Sequence, residues 1–530
     1  MKVFSNHLLL LLCLFNQFSW SQSLWTWMSG ATGVQNVVYG TKGVSSASTC
    51  PGSIFISQTW TDTSGIFWLY GGRVNMQYDG ENLWKYNSLT NEWCFVHGQG
   101  VSNSVNPIYG TKGTPAPINE PGARKNSATW QAKNNLWLFG GEHFFTGYLN
   151  DLWKYNIATN EWTWLHGGGS STLYSVYGSQ GAPSPANTPG ARQSAATWTD
   201  ANGDLWLFGG YGLNSSTGGF LNDLWKYSTS LNQWTWVAGS TATNQLSSYG
   251  LLGQGNQTTT PGGRMESITW FSGGELYLFG GRTYSVAYND FWKYNIASNT
   301  WLWIGGTQNV DDNGSFGNKN TGTTTNIPPA MAAAFNWKDK NGDFWLYGGE
   351  RGYSTQTRFT ALWKYETSSS MWIWKDGVNT TGLLPALGTL QMPGSSVHPG
   401  SRSAGASWIG KNNDLWLFGG TTEGNMPNIV SSVMMRYAPD LLTVALRETE
   451  EVSLNIYPVP SADELYVSVK DNSTADNYQI LTPDGTILLR GKFDTSTMKI
   501  NIADLHAGIY IYELKQNETS LLKRKFITVK

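Results

Sequence analysis

Short apolar runs of strand length alternate with polar, glycine-rich turns along most of this chain. The run LWLFGG occurs three times, beginning at Leu136, Leu205 and Leu415, and FWLYGG and LYLFGG are close variants. Runs of this length that are rich in aromatic and β-branched residues and bounded by turn residues are typical of β-strands. The pattern therefore predicts an all-β protein.

The glycine pairs that end these runs mark a repeated unit. Successive pairs are spaced by 69, 69, 71, 68 and 71 residues, and a fixed period indicates a repeat architecture. Each unit holds four runs, here called strands a, b, c and d; in the third copy they are SAATW, LWLFGG, LWKYS and WTWV. Four-stranded units repeated around an axis form the blades of a β-propeller. The pairs are Gly71 and Gly72, Gly140 and Gly141, Gly209 and Gly210, Gly280 and Gly281, Gly348 and Gly349, and Gly419 and Gly420.

The last repeat is incomplete, and a strand that would complete it stands at the other end of the sequence. The sixth copy stops after strand c, whereas the run LWTW at Leu24 precedes the first copy and matches strand d of the others. An N-terminal strand that joined the last blade would close the ring and remove two open sheet edges. The sequence thus predicts a six-bladed propeller over residues 22–439, closed by its N-terminal strand.

The repeat resembles the kelch motif, in which a glycine pair ends strand b, a tyrosine follows in strand c and a tryptophan stands in strand d. The tyrosines here are Tyr86, Tyr155, Tyr227, Tyr294, Tyr365 and Tyr437. The resemblance covers about residues 24–439, although each unit carries an additional segment between strand d and the next strand a. It implies a kelch-type propeller, most often a binding module, on a fold that hosts many functions. The glycine pairs are expected where positive φ and crowding exclude a side chain.

The pattern changes after residue 439. Residues 440–452 read as a linker, and residues 453–530 hold alternating strands such as ELYVSVKD, which predict a small β-sandwich. This tail resembles the C-terminal sorting domain of type IX secretion systems through the segments YPVP, AGIYIYEL and KRKFITVK. The resemblance implies that the type IX machinery is a partner that carries the chain across the outer membrane. The motif residues are Tyr457, Pro458, Pro460, Gly508, Tyr510, Lys525 and Phe526.

The N-terminus has the pattern of a secretory signal peptide. Residues 1–21 combine an early lysine, a short apolar core and small residues ahead of Gln22. The apolar core is shorter than the roughly 20 residues that a membrane helix needs. Together with the tail, this segment predicts a secreted or outer-cell-surface protein without a membrane span.

Composition and cysteine count add two expectations. Only 13% of residues are charged and the formal net charge is −2. Nucleic acid is excluded as a partner because a phosphate backbone needs clustered cations. Cys50 and Cys94 remain after the signal peptide, and an even count in a secreted chain suggests a disulfide. Their spacing does not show that they lie within bonding distance, so the pairing stays open.

No residue pattern indicates a catalytic residue, a metal site or a cofactor. The histidines lack metal-ligand spacing, so a mononuclear copper site is not favoured. The segments DANGD at Asp200 and DKNGD at Asp339 superficially resemble calcium loops. They lack the remaining ligands of such a loop, and we expect both to form the turns between strands a and b.

The predicted topology gathers the long b–c and d–a loops on one face, and loops on a rigid scaffold are where function concentrates. Aromatic residues that recur in the d–a loops are expected to pack each loop onto its own blade: Tyr39, Tyr109, Tyr177, Tyr249 and Phe316. Aromatic residues without such a repeat are the candidates for ligand binding: Phe144, Phe145, Tyr211, Tyr284 and Tyr353.

Four copies begin strand a with an arginine: Arg124, Arg192, Arg264 and Arg402. A partial ring of guanidinium groups around the channel could bind an anionic ligand. The alternative is structural, because three of the same copies carry an aspartate before strand c: Asp151, Asp223 and Asp290. An arginine–aspartate pair inside each blade would explain both positions, and this alternative is favoured.

The sequence therefore predicts a monomeric, exported propeller that binds a glycan or a protein on its long-loop face. The alternative is a carbohydrate-active or sugar-isomerising enzyme that uses channel arginines and acidic residues. An enzyme should carry a cluster of glutamate, histidine or tyrosine residues that departs from the repeat in one blade. In this sequence such residues are distributed evenly among the copies.

Overall fold

The computed structural model describes residues 24–100, 105–168, 173–352, 357–422, 429–439, 453–457, 462–470, 476–482, 485–493, 497–516 and 519–528. These residues form antiparallel sheets, and no helix occurs in the described ranges, so the fold is all-β. Contacts divide the chain into two units, of which one is Leu24–Pro439 and the other contains Asp440–Lys530. The predicted signal peptide at 1–21 and the predicted linker at 440–452 lie outside the described residues.

The described residues of the first unit form six large sheets, numbered here by the order of their b strands along the chain. Sheet one contains Ser45–Ser46, Gln58–Thr61, Phe67–Tyr70, Leu83–Asn87 and Glu92–His97. Sheet two contains Ala128–Ala132, Asn135–His143, Gly147–Asn156 and Glu161–His166. Sheet three contains Arg192–Gln193, Ala196–Thr199, Leu205–Leu213, Gly218–Ser228 and Gln233–Ala238.

The remaining large sheets follow the same plan. Sheet four contains Gly255–Asn256, Ile268–Ser272, Glu275–Phe279, Phe291–Asn295 and Thr300–Gly305. Sheet five contains Gly322–Thr323, Phe335–Lys338, Phe344–Tyr347, Leu362–Glu366 and Met371–Asp376. Sheet six contains Leu24–Ser29, Pro393–Gly394, Ala406–Ile409, Leu415–Phe418 and Met434–Ala438.

Tryptophan side chains join each sheet to the next. The strand-a tryptophan of each sheet is buried, and its indole N–H donates to a carbonyl of the following sheet at 2.8–3.2 Å. Five of the acceptors lie in strand b, whereas Trp270 donates to the strand-a carbonyl of Trp337. The series returns to its start, because Trp408 of sheet six donates to the carbonyl of Trp68 in sheet one. A buried indole N–H needs an acceptor, and this arrangement supplies one at every junction. The other donors are Trp60, Trp130, Trp198, Trp270 and Trp337.

A second cycle of hydrogen bonds lies closer to the axis. Six residues just ahead of strand a adopt left-handed backbone conformations with φ of 49–57°. The amide of each donates to the carbonyl of the equivalent residue in the neighbouring sheet at 2.6–3.2 Å. Positive φ is unfavourable for residues other than glycine, so these bonds offset local strain. We call these residues the axial ring: Ile56, Asn126, Ser194, Glu266, Ala333 and Ala404.

The glycine pairs lie where neighbouring sheets approach most closely. Both glycines of every pair have positive φ, between 58° and 93°. A Cβ on the first glycine would lie 2.3–2.9 Å from a carbonyl oxygen of the next sheet. The amide of the second glycine can reach the same carbonyl, as Gly420 does with Ile54 at 2.8 Å. Any side chain would therefore push two sheets apart.

The additional segments between strand d and the next strand a cover the outer rim. Ser45 and Ser46 pair with Cys94 and Trp93, and thus run along the free edge of strand d in sheet one. Short strands do the same in sheets four, five and six. An uncovered edge would present unpaired amides and carbonyls to other chains. We expected this surplus chain on the long-loop face, whereas much of it lies at the rim.

The N-terminal strand Leu24–Ser29 lies in sheet six, between Met434–Ala438 and Pro393–Gly394. Trp25 is opposite Tyr437 in the register and is 1% exposed. Its indole N–H donates to the Asp376 carboxylate of sheet five at 3.0 Å. The first strand of the unit thus takes the strand-d position beside its last strand.

Beyond the glycine pairs the sheets differ from one another. Sheets two and three continue strands b and c into long hairpins, with a register shift at the glycine pair. Near three of the other pairs the chain forms small separate sheets: Ile54–Phe55 with Arg73–Val74 and Tyr78–Asp79, Glu350–Arg351 with Thr357–Arg358, and Arg402–Ser403 with Thr421–Thr422 and Ile429–Val430. After Gly281, Arg282 forms only isolated bridges with Met265 and Ala287.

The C-terminal unit contains two antiparallel sheets around one apolar core. One sheet consists of Ser453–Tyr457, Glu464–Lys470 and Thr497–Asn501, and the other of Asn477–Leu481, Ile487–Lys492, Gly508–Gln516 and Thr519–Thr528. Val467 of the first sheet and Phe526 of the second belong to the same buried cluster. Tyr510 packs on Phe526 with ring centroids 5.8 Å apart, and Gly508 lies beside the Tyr510 ring. Pro458 and Pro460 lie outside the described residues, as do the side chains of Tyr457 and Lys525.

Both cysteines of the first unit are free thiols. Cys94 is buried in strand d of sheet one, whereas the Cys50 sulfur accepts a hydrogen bond from the Gly52 amide at 3.2 Å. Burial raises the pKa of both thiols. The candidate disulfide is therefore not formed. Within the described ranges, no helix has the length and apolar character required to cross a bilayer.

Candidate functional site

The residue after each glycine pair varies from copy to copy, although the surrounding repeat is uniform. Its backbone faces the residue directly before the axial ring, as Tyr211 faces Gln193 and Thr421 faces Ser403. The six variable positions therefore meet around the entrance to the axis on the b–c loop side. We call this set the channel mouth: Arg73, Glu142, Tyr211, Arg282, Glu350 and Thr421.

Charged side chains across sheets one and two pair with one another at the channel mouth. The Arg73 guanidinium lies 3.0 Å from the Asp79 carboxylate. Lys125 lies 3.5 Å from Asp79 and 3.1 Å from Glu142. Asp79 is fully buried, while Glu142 is about one-third exposed. Two cations and two carboxylates thus form one connected group.

A second charged group spans sheets four, five and six. Arg282 lies 2.7 Å from Glu266 and 2.8 Å from Glu350. Arg358 lies 3.4 Å from Glu350, and the Ser403 hydroxyl donates to the same carboxylate at 2.6 Å. The sequence comparison missed this off-pattern cluster because its members come from three different copies. The sequence does contain one indication of this cluster: the residue directly after each invariant glycine pair differs from copy to copy.

Unrepeated aromatic residues cluster on the long hairpins of sheets two and three and the adjacent loop of sheet four. Tyr211 lies 5.0 Å from Phe220, 5.0 Å from Tyr284 and 5.8 Å from Tyr148, measured between ring centroids. Tyr284 is 39% exposed, and the other three rings are half-buried. The structure thus brings the predicted residues Tyr211 and Tyr284 together and adds Tyr148 and Phe220.

The predicted residues Phe144 and Phe145 form a second aromatic group at the tip of the sheet-two hairpin. Their side chains are 54% and 70% exposed, and their rings meet edge to face at 5.0 Å. The Arg73 guanidinium lies over the Phe144 ring, 5.3 Å from its centroid. We call these two rings and the four-ring cluster the aromatic crescent. The fifth predicted aromatic residue, Tyr353, lies outside the described residues.

The repeated aromatic residues have a packing role instead. Tyr109, Tyr177 and Tyr249 stack on strand-c tryptophans of their own sheets at 5.1–5.3 Å. Their hydroxyls donate to Asp151, Asp223 and Asp290, respectively, at 2.9–3.0 Å. These rings therefore hold each rim segment against its own sheet.

The four arginines that begin strand a are buried inside the sheets, so the ligand-binding interpretation for them requires correction. Arg192 is 1% exposed and contacts both oxygens of Asp223 at 2.7 and 2.8 Å. Equivalent two-pronged contacts join Arg124 to Asp151 and Arg264 to Asp290. A buried guanidinium requires such a partner, and the aspartate supplies it in place of an external anion.

Arg402 lacks this partner, because Val433 takes the place of the aspartate in sheet six. Its guanidinium donates to the carbonyls of Pro399 and Gly419, while one terminal nitrogen has no partner among the described residues. Burial lowers the pKa of Arg402 to about 10. Since the side chain is fully buried, it does not form part of the exposed face.

Three titratable residues converge between sheets one and two, and two of them, Glu81 and Glu120, depart from the repeat. Glu81 stands where sheets two to four have asparagines that donate to a proline carbonyl of the next sheet. The Glu120 carboxylate lies 3.0 Å from the His97 imidazole, and all three side chains are buried. Burial, together with the nearby charge of Glu120, raises the pKa of Glu81 to about 7, although the Gln99 amide and Lys42 oppose the shift.

We expect Glu81→Gln to stabilise the protein at pH 8 but not at pH 5. The folded state holds the Glu81 proton more tightly than the unfolded state, so the wild type loses stability as pH rises from about 4.5 to above 7. Glutamine removes that loss, which amounts to roughly 2–3 kcal/mol. Urea titrations at both pH values measure the difference, with Glu92→Gln in the same sheet as control. An equal effect of Glu81→Gln at both pH values would contradict this assignment.

No group of three or more histidine, cysteine, aspartate or glutamate side chains in the described part of the chain is placed to hold a metal ion. The groups at the channel mouth are cation–carboxylate pairs, and a carboxylate already paired with arginine is a poor ligand for a further cation.

Two family models match separate parts of this chain. Residues 271–302 match the kelch motif, and residues 455–530 match the secretion system C-terminal sorting domain. Both resemblances drawn from the sequence are thus confirmed. The sorting domain interacts with the type IX machinery and directs export, either to the cell surface or into the medium.

One solved structure that this chain matches is described as "Structure of YjhT". It is 14% identical to this chain, with a TM-score of 0.45, and the alignment covers 73% of this chain and 95% of that one.

Proposed function

We propose that this protein is an exported binding module whose ligand, a glycan or a protein, binds across the aromatic crescent. The binding unit is a six-bladed propeller over residues 22–439, closed by its N-terminal strand. The signal peptide at 1–21 starts export, residues 440–452 link the two units and residues 453–530 complete export. The protein acts as a monomer, without a cofactor.

Two cycles of hydrogen bonds support the closed six-bladed arrangement. Both the strand-a indoles and the axial ring pass through six sheets and return to the first. The pairing of Trp25 with Tyr437 supports closure by the N-terminal strand. Together they support a rigid scaffold for the exposed loops.

One observation carries the binding proposal. The aromatic residues that repeat in the rim segments stack on strand-c tryptophans of their own sheets. Those that do not repeat, among the described residues, are gathered beyond the glycine pairs of sheets two to four. Side chains such as Phe145, at 70% exposed, contribute little to folding where they lie. Exposed aromatic clusters on a rigid scaffold are typical of ligand-binding surfaces.

A carbohydrate-active enzyme is the second candidate, and the charged group at sheets four to six favours it. Glu266 and Glu350 approach the same guanidinium of Arg282. Paired carboxylates of this kind serve as acid and base in many reactions on sugars. Release of reducing sugar from the ligand would favour the enzyme over the binding module.

The test is a screen of the full chain on an array of neutral and acidic polysaccharides and on a panel of immobilised extracellular proteins. We expect at least one probe to bind. The variant Phe144→Ala/Phe145→Ala/Tyr211→Ala should lose that binding with little change in melting temperature, because two of the three rings are largely exposed.

The matched control changes the opposite end of the sheets. Asn202→Ala/Asn341→Ala alters the turns between strands a and b and should leave binding unchanged. Binding that vanished in this control and survived in the crescent variant would disprove the assignment of the face. Failure of every probe on both arrays would disprove the binding function.

A further inference from the structure

Among the described residues, the eight charged side chains that form ion pairs at the channel mouth balance one another. Arg73 and Lys125 are paired with Asp79 and Glu142. Likewise, Arg282 and Arg358 are paired with Glu266 and Glu350. Four cations thus stand against four carboxylates. An anionic or cationic ligand would have to break one of these pairs and leave its partner uncompensated, at a considerable cost.

The aromatic crescent offers rings rather than aliphatic side chains. Phe145 is the more exposed ring of the pair at the hairpin tip, and Tyr284 is the most exposed ring of the four-ring cluster. Among the described residues, the hydroxyl of Tyr211 has no hydrogen-bond partner, so a ligand can use it as donor or acceptor. Rings combined with neutral hydrogen-bonding groups fit a ligand whose own surface alternates between C–H faces and hydroxyl groups.

The two aromatic groups lie on successive sheets. Phe144 and Phe145 occupy the hairpin tip of sheet two, whereas Tyr211 and Phe220 face each other across the hairpin of sheet three. Tyr284 follows on the loop of sheet four, 5.1 Å from Phe220. A ligand that uses both groups must therefore extend over at least two sheets, which a chain of several units can do.

We propose that the aromatic crescent binds an uncharged oligosaccharide chain, with the C–H faces of separate sugar units stacked on the Phe144–Phe145 pair and on the Tyr211–Tyr284 cluster. This inference rests on the proposed binding function and narrows it to one ligand class. The paired charges of the channel mouth stay paired when the sugar binds.

Calorimetric titration of the full chain with neutral di-, tetra- and hexasaccharides of glucose, mannose and xylose tests the inference. Affinity for at least one series should rise with chain length, because longer chains reach both aromatic groups. The affinity should not change between about 0.05 and about 0.5 M sodium chloride, since no charge pair forms across the interface.

Single substitutions separate stacking from folding. Phe145→Ala and Tyr284→Ala should each weaken binding about three- to tenfold, whereas Tyr284→Phe keeps the ring and should bind almost as the wild type does. Leu89→Ala removes a similarly exposed apolar side chain in a turn between strands c and d and should have no effect. Equal losses in Tyr284→Phe and Tyr284→Ala would place the interaction on the hydroxyl and overturn the stacking geometry.

Other probes separate this inference from the broader proposal. Binding only to polygalacturonate, with steep salt dependence, would overturn the uncharged class while leaving a glycan-binding module. Binding only to immobilised collagen or fibronectin would overturn the glycan and leave a protein-binding module. If neither sugars nor proteins bind, both proposals fall.

Discussion

Trp25→Ala should lower the free energy of unfolding by about 3–5 kcal/mol, the range for removing a fully buried tryptophan. Trp25 packs against Tyr347 and Tyr437, with ring centroids 5.1 Å away in each case. It also donates to Asp376 of sheet five. The substitution therefore weakens sheet six and its junction with sheet five together. Urea or thermal unfolding followed by tryptophan fluorescence measures the loss.

Trp27→Ala is the matched control, because it lies in the same strand. Trp27 is only partly buried, and its indole donates to the nearby carbonyls of Ser29 and Gly30 rather than across a junction. We expect a clearly smaller loss from this change. If the two variants unfold at the same denaturant concentration, the N-terminal strand does not close the ring through Trp25.

Asp223→Ala should cost about 3–5 kcal/mol of stability, because it leaves the buried Arg192 guanidinium without its counter-charge. The same carboxylate accepts from Tyr177 and from the indole of Trp225. Removing the Asp223 carboxylate thus also leaves the Tyr177 hydroxyl of the rim segment and the Trp225 indole N–H of strand c without an acceptor. Chemical denaturation of the variant gives the loss directly.

The double variant Arg192→Met/Asp223→Ala distinguishes a charge effect from a packing effect. With both charges removed, no uncompensated cation is buried, and replacing a buried ion pair by apolar groups is often close to neutral. We expect the double variant to regain a large part of the stability lost in Asp223→Ala. A double variant that is less stable than the single one would show that packing, not charge, dominates this site.

Much of the fold follows from local patterns that a single sequence reveals. The alternation around Trp130 and the glycine pair at Gly140 repeat with a constant period, so strands and their order were predictable. The arginine–aspartate pairs were also foreseeable as the favoured alternative, because Arg192 and Asp223 occur together in the same copies. In both cases the interacting residues lie within one repeat.

Interactions between repeats were not predictable from the same patterns. The indole of Trp130 donates to a carbonyl in the next sheet, and which carbonyl it reaches depends on how the sheets curve. Glu81 and Glu120 belong to different copies and meet only at a junction. Phe220 was missed for another reason: it lies in a strand that extends past the glycine pair, and in the sequence it looks like a loop residue.

The pairing between the first and last strands of the first unit also determines the order in which parts of that unit can fold. Leu24–Ser29 is the first strand of its unit to be synthesised, yet its neighbour Met434–Ala438 is the last. Contacts between such distant segments form slowly, because a long chain must be closed before they give any stabilisation. Sheet six can therefore gain this strand pairing only after the whole repeat region is available. Until then Met434–Ala438 lacks its partner strand along that edge.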